Sequence, residues 1–197
     1  MTPRERQAGS KETLRREILD AARELFVAEG YDNVSMRKIA QRIGYTPMSI
    51  YLYFRDKADI LDCICEGTFD CLKETSQRLD SITVPLERVL AGLRNFMEFG
   101  LEHPHHYQLT FMTPQRSAPE CRRRQISSEA YQRMRERVAL CLGERRQPIE
   151  VDVKSQLLWS LAHGVVSLLI AKPDFPWVER QKLIEGALDV ARRELTC

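Results

Sequence analysis

A chain of 197 residues can hold one large domain or two small ones, and it can bury a core without disulfide or metal staples. Its 43% hydrophobic and 29% charged residues are the balance of an ordinary soluble globular protein, and no segment is of low complexity, so disordered and fibrous classes fall away. The net charge of +2 is unevenly placed: residues 1–57 carry 11 Lys and Arg against 8 Asp and Glu, the rest 19 against 20, and a basic end points to an anionic partner.

The opening residues, MTPRERQAGSKE, lack the apolar core of a secretion signal, so a cytoplasmic location is expected. Helical periodicity then dominates, and no alternating strand stands out. Ser10 is placed to cap a first helix whose apolar positions Leu14, Ile18, Ala21, Ala22, Leu25 and Phe26 recur at three and four, and Gly30 stops it. Ser35 caps a short second helix ending near Gly44. Thr46 caps a third, with Pro47 at the first helical position, where a missing N–H costs nothing. Asp56 caps a long fourth helix to about Asp80, with Asp59 well placed in its first turn.

Further helices are predicted over 85–102, 104–112, 118–142 and 150–171, with a loop over 113–119 and a last helix opened by Pro176 and ending near Leu195. The longest apolar stretch, 164–171, is too short to span a bilayer, so no membrane partner is expected. Six cysteines, at 63, 65, 71, 121, 141 and 197, form no CxxC pair and so encode neither a zinc ribbon nor a thioredoxin-like site. They read as small buried hydrophobes in a reducing cytoplasm. A redox sensor at Cys63, Cys65 and Cys71 is the sharper alternative, with 63 and 71 about two turns apart on one helical face. The predicted fold is all-α, about nine helices, divided into a DNA-binding portion, 1–57, and a sensing and dimerisation portion, 58–197.

The informative segment is 35–54, SMRKIAQRIGYTPMSIYLYF. A helix-turn-helix needs a small residue where its helices touch, a turn residue tolerant of positive φ, and a branched apolar residue inside the second helix. Ala40, Gly44 and Ile50 stand at those places, with Ile39 and Ile43 adding core contacts. The competing reading is an arbitrary helical hairpin. Against it, turning Ile50 and Phe54 inward leaves Met48, Tyr51 and Leu52 outward, a poor surface for water but one suited to thymine methyls in a major groove. Lys57 beside the Asp56 cap is a candidate phosphate contact.

From Thr13 to about Ile64 the chain resembles the TetR family of bacterial regulators. The resemblance lies in Leu25-Phe26, Glu29-Gly30-Tyr31, Arg37-Lys38-Ile39-Ala40, Gly44, the block Ser49-Ile50-Tyr51-Leu52-Tyr53-Phe54, and Lys57. It implies a homodimer that sets two recognition helices in successive major grooves of a palindromic operator of double-stranded DNA. Ser35, Arg37, Thr46, Pro47, Met48, Ser49, Tyr51, Leu52, Tyr53 and Lys57 match family positions that contact DNA. Arg37 is the candidate for a guanine edge, and Tyr51, Tyr53 and Lys57 for phosphates. Pro47-Met48 departs from the Lys, Gly or small polar residues of many members, which favours reading by shape and methyl contact. Further on, Phe99-Gly100-Leu101-Glu102-His103-Pro104 with Tyr107, and Leu158-Trp159-Ser160-Leu161-Ala162-His163-Gly164, are similar to a C-terminal subgroup marked by Trp-His-Gly.

The apolar stripes Leu157, Leu161, Val165, Leu168 and Ile184, Ala187, Leu188, Ala191 are the candidate dimer interface, with burial in the subunit's own core as the alternative. Phe96, Met97, Phe99, Tyr107, Phe111, Met112, Trp159 and His163 are candidate pocket residues, although aromatic and Met side chains at helical spacing are often plain core. His163 reads more simply as a satisfied core histidine. The cluster His103, His105 and His106 lacks partners at metal-ligand spacing, so no metal or other cofactor is expected, and Arg122-Arg123-Arg124 reads as a solvated helix face. No nucleophile elbow, phosphate loop or paired catalytic carboxylates occur, which argues against a helical-bundle enzyme. The function expected is a ligand-responsive DNA-binding regulator, a repressor released by a small apolar or weakly polar effector. The alternative is a regulator of the same fold without a small-molecule effector.

Overall fold

The computed structural model describes residues 3–113, 122–143 and 147–196, and the side chains within 11–113, 129–143 and 147–196. Among the described residues there are nine α-helices and no strand: α1 Pro3–Glu29, α2 Met36–Arg42, α3 Pro47–Tyr51, α4 Lys57–Arg78, α5 Pro85–Glu102, α6 Pro104–Tyr107, α7 Arg122–Leu142, α8 Pro148–Ala171 and α9 Arg180–Thr196. The all-α expectation holds.

Several ends differ from the sequence reading. Ser10 lies inside α1, which starts at Pro3, another residue suited to a helix start. Pro176 opens no helix. It sits in the 172–179 connection, where the Trp177 indole N–H donates to the Lys172 carbonyl at 2.8 Å, and α9 begins only at Arg180. The segment 104–112 divides into α6 and a π-helical turn, Gln108–Met112. The loop expected over 113–119 and the helix start at 118 lie outside the described residues after Thr113, as do Cys121, Cys197 and the side chains of Arg122, Arg123 and Arg124.

Two apolar cores form. The first gathers Ile18, Ala22, Leu25 and Phe26 of α1, Ile39 and Ala40 of α2, Ile50 of α3, Phe54, and Ile60, Leu61, Ile64 and Cys65 of α4. The second gathers Val89, Leu90, Leu93 and Met97 of α5, Val138 of α7, Leu158, Ala162 and Val166 of α8 and Ile184, Leu188, Ala191 and Leu195 of α9, with Tyr107 among them. At Gly100 a Cβ would stand 2.6 Å from both the Tyr107 ring and Val166, so only glycine lets α5 approach so closely there.

Helix α8 is apolar around most of its circumference. By length and composition its 24 residues could cross a membrane, which the shorter run 164–171 did not suggest. One face packs on the second core through Val151, Ser155, Leu158, Ala162 and Val166, while Ile149, Val153, Leu157 and Leu168 stand half or more exposed.

Candidate DNA-reading surface and effector cavity

Local chemistry builds the helix pair α2–α3. The Ser35 hydroxyl accepts the Lys38 N–H at 3.2 Å, and the Thr46 hydroxyl accepts the Ser49 N–H at 3.3 Å, so both helices begin on a side-chain cap. Between them Gly44 takes φ +74°, which lets the Tyr45 N–H reach the Ala40 carbonyl at 2.9 Å and the Gly44 N–H that of Gln41 at 3.3 Å. That left-handed stop turns the chain sharply into α3. Ile39, Ala40 and Ile50 are fully buried, and Met48, Tyr51 and Leu52 are exposed by 71%, 52% and 79%. An apolar face this open has no solvent-side rationale and fits a groove floor.

The cations around this face are mostly paired. Lys38 bonds Glu29, Arg42 bonds Glu24 at 3.0 Å, and Arg55 lies 3.5 Å from Asp59. Arg37, on α2, is exposed. Lys57 turns inward: its Nζ donates to the carbonyls of Tyr31, Asp32 and Val34 at 2.8, 3.3 and 3.1 Å and lies 4.4 Å from the Tyr31 ring centre. All three donors are thereby satisfied on the connection between α1 and α2.

A cavity of about 540 Å³ opens between α4, α5, α7 and α8. Phe69 and Phe96 meet Phe111 edge-on at 5.5 and 5.3 Å, and Trp159 lies beside Tyr131 at 6.1 Å, so aromatic rings form much of its wall. Its size and lining are those of a small-molecule site.

One polar chain joins the cavity wall to α1. The Thr110 hydroxyl, at the wall, donates to Thr68 Oγ1 at 3.2 Å, and Thr68 donates to the Ile64 carbonyl at 3.2 Å. His106 Nδ1 lies 3.3 Å from the same Thr68 oxygen, and Arg23 Nη1 meets His106 Nε2 at 2.8 Å. Arg23 can only donate, so Nε2 accepts and the Nδ1–H is left to donate to Thr68. Burial first, then the Arg23 charge, lowers the His106 pKa from the ordinary 6.5 to about 4, which keeps the ring neutral. The neighbouring residue Leu109 sits in the first core while Phe111 faces the cavity.

Residues 18–64 match the family described as bacterial regulatory proteins, tetR family, and residues 89–190 match the tetracyclin repressor-like C-terminal domain. The chain belongs to the tetR family. It is similar to the HTH-type transcriptional repressor AcnR of Corynebacterium diphtheriae, 25% identical over 178 residues, covering 84% of this chain and 86% of that protein. Two solved structures share the fold. PfmR of Thermus thermophilus gives a TM-score of 0.73 at 19% identity, over 89% of this chain and 97% of its own. AibR, in complex with isovaleryl coenzyme A and operator DNA, gives 0.71 at 20% identity over 89% and 96%.

In this TetR-family regulator the expected DNA contacts fall into two groups. Ser35, Arg37, Thr46, Pro47, Met48, Tyr51 and Leu52 are exposed. Ser49 and Tyr53 are half-buried, the Ser49 hydroxyl 3.0 Å from that of Thr46, and Lys57 is committed to carbonyls.

Of the expected pocket residues, Phe96, Phe111 and Trp159 line the cavity. Met97, Phe99 and Tyr107 are buried core side chains, and Met112 packs against the second core. His163 is bonded through Nδ1 to the Tyr107 hydroxyl at 2.7 Å. Residues the sequence reading missed are Phe69 and Leu72 of α4, and Tyr131, Arg133, Met134 and Arg137 of α7, all on the wall. Phe69, Leu72 and Ser76 recur at three and four along α4, a pattern that marks a face but not what covers it.

The expected interface divides likewise. Leu157 and Leu168 are exposed and Leu161 and Val165 half-exposed. Ile184, Ala187, Leu188 and Ala191 are instead buried in the subunit's own second core, because α9 lays that stripe on α5 and α8. The side of α9 turned outward carries half-buried Leu183 and exposed Gly186 and Val190. Cys65 is buried, and burial pushes the Cys63 thiol above its ordinary range, which disfavours the reactive thiolate.

Proposed function

We propose that the chain is a ligand-responsive repressor, which binds a palindromic operator as a homodimer and releases it when a small molecule fills the cavity. The observation that carries this reading is the π-helical turn Gln108–Met112, whose Leu109 is part of the DNA-reading core while Thr110 and Phe111 are part of the cavity wall. A ligand that moves Phe111 or Thr110 displaces a side chain packed under α1–α4, and the Thr110–Thr68–His106–Arg23 chain carries the same shift to α1. Two recognition helices must stand about 34–36 Å apart to enter successive grooves, so a small tilt of each reader spoils the match.

Met48, Tyr51 and Leu52 supply methyl and shape readout, Arg37 a guanine contact, and Ser35, Thr46, Pro47 and Ser49 backbone contacts; Tyr53 remains a candidate at the edge, and Lys57 positions rather than touches. Residues to 57 read DNA and 58–197 sense and dimerise, with the first turns of α4 seated in the reader's core. The dimer forms on the apolar face of Leu157, Leu161, Gly164, Val165 and Leu168 with Leu183 and Val190, and the protein acts as a DNA-bound regulator in the cytoplasm rather than in a membrane. Repression is taken from the likeness to AcnR.

The test is reciprocal linkage. Compounds that raise the melting temperature are titrated into protein with and without saturating operator. Operator should weaken an effector by the same factor by which the effector weakens operator, roughly 5–150-fold. A tight cavity ligand whose affinity is equal in both states overturns the reading and leaves a regulator without a small-molecule effector.

A further inference from the structure

We propose that the effector is an organic acid, an apolar and preferably aromatic body carrying a single carboxylate; this rests on the reading of the cavity as the effector site and narrows it to a chemical class. The cavity is polarised. Phe69, Phe96 and Phe111 close one end, with Leu93 and Trp159 alongside. Arg137 stands at the other, donating to the Ser76 carbonyl at 2.8 Å, and Ser76 follows Phe69 on α4 by two turns, about 10 Å.

Among the described residues three cations line this cavity: Lys73, Arg133 and Arg137. Arg137 is already paired with Asp80 at 2.9 Å. Half-buried Arg133 and exposed Lys73 have no ion-pair or hydrogen-bond partner among the described residues. Of the two acids on the wall among the described residues, Asp70 is exposed and Glu129 is engaged by another group.

A guanidinium partly withdrawn from water without a counter-ion is unfavourable. A carboxylate resolves this. It accepts two parallel N–H bonds from Arg133, while Lys73 adds attraction at the rim. A neutral head leaves the guanidinium uncompensated, and an ammonium adds repulsion. The aromatic end then takes a ring or branched chain edge to face.

Three probes of equal size separate the possibilities: 4-phenylbutanoate, 4-phenylbutanol and 4-phenylbutylamine. Their affinities for the purified protein are measured by calorimetry, and each is then tested for release of operator. The acid is expected to bind roughly tenfold or more tightly than the alcohol, the size of one charge-assisted hydrogen bond, and the amine most weakly. Arg133→Gln brings the acid-to-alcohol ratio close to one, with melting of the unliganded variant as the check on folding, and Phe111→Ala weakens all three. An alcohol or amine that binds as tightly as the acid, or an acid that does not bind, overturns the proposal even where the tighter probe releases operator and so preserves the effector site. An acid that binds through Arg133 without releasing operator supports the ligand class and overturns the effector reading instead.

Discussion

Lys57 and Arg37 show how much depends on what a cation already touches. Lys57 has all three N–H donors on main-chain carbonyls, so Lys57→Ala should destabilise the fold by about 1–3 kcal/mol through orphaned acceptors, yet leave the slope of log affinity against log salt unchanged. A slope shallower by about one unit would return it to the phosphate shell. Arg37→Ala should leave folding alone and cost about 1–3 kcal/mol of discrimination at one base pair per half-site, and uniform weakening on every sequence would make it a phosphate contact. His106 titrates differently. Its folded pKa of about 4 lies below the ordinary 6.5, through burial first, then the charges of Arg23 and the neighbouring His103, with Asp20 opposing and His105 adding slightly. The unfolded chain therefore binds the proton more readily, so this contribution to stability is complete above about pH 6.5 and is lost as pH falls toward about 4. Urea midpoints of the wild type should decline relative to His106→Gln across that window. Parallel curves would remove His106 from the account.

Among the elements, α8 and α9 mark the line between what a pattern reveals and what it conceals. Three-four periodicity located both helices and both apolar stripes, and the caps Ser35, Thr46 and Asp56 with Gly44 fixed the reading head almost to the residue, because each is a local bond or a local φ. What an apolar stripe faces is a tertiary fact. The stripe Ile184, Ala187, Leu188 and Ala191 faces its own subunit, whereas Leu157 and Leu168 face out, and nothing in their spacing separates the two cases. The cavity was half legible for the same reason: Phe96, Phe111 and Trp159 were found, while the wall given by α4 and α7 depends on how those helices cross. Substitution distinguishes the stripes. Leu188→Asp should unfold the subunit, at a cost upwards of about 3 kcal/mol, since it sets a charge in a closed core. Leu157→Asp should keep helicity and melting while sedimenting as a monomer and losing tight operator binding. A Leu157→Asp protein that remains dimeric refutes the outer face as the interface.

Across the whole molecule, one short irregular segment, Gln108–Met112, touches both the first core and the cavity wall. Thr110→Val keeps the shape of the wall and removes the hydroxyl that begins the polar chain. It should bind an effector within about twofold of wild type while shrinking the operator-linked change in that affinity, whose usual span is about 5–150-fold. Arg23→Met at the far end should shrink it equally. Undiminished coupling in both would take the chain out of the transmission path. The outer face of α8 has a consequence of a different kind. In the dimer proposed on this face, which leaves Leu157 and Leu168 about half exposed on a single subunit, the competent reader would exist only when two copies meet, so its amount would follow the square of the chain concentration while most copies are single. Halving the supply of chain, as growth and division do, then cuts operator occupancy up to fourfold. A target promoter would open over a narrow range of gene dosage, before any small molecule enters the cell.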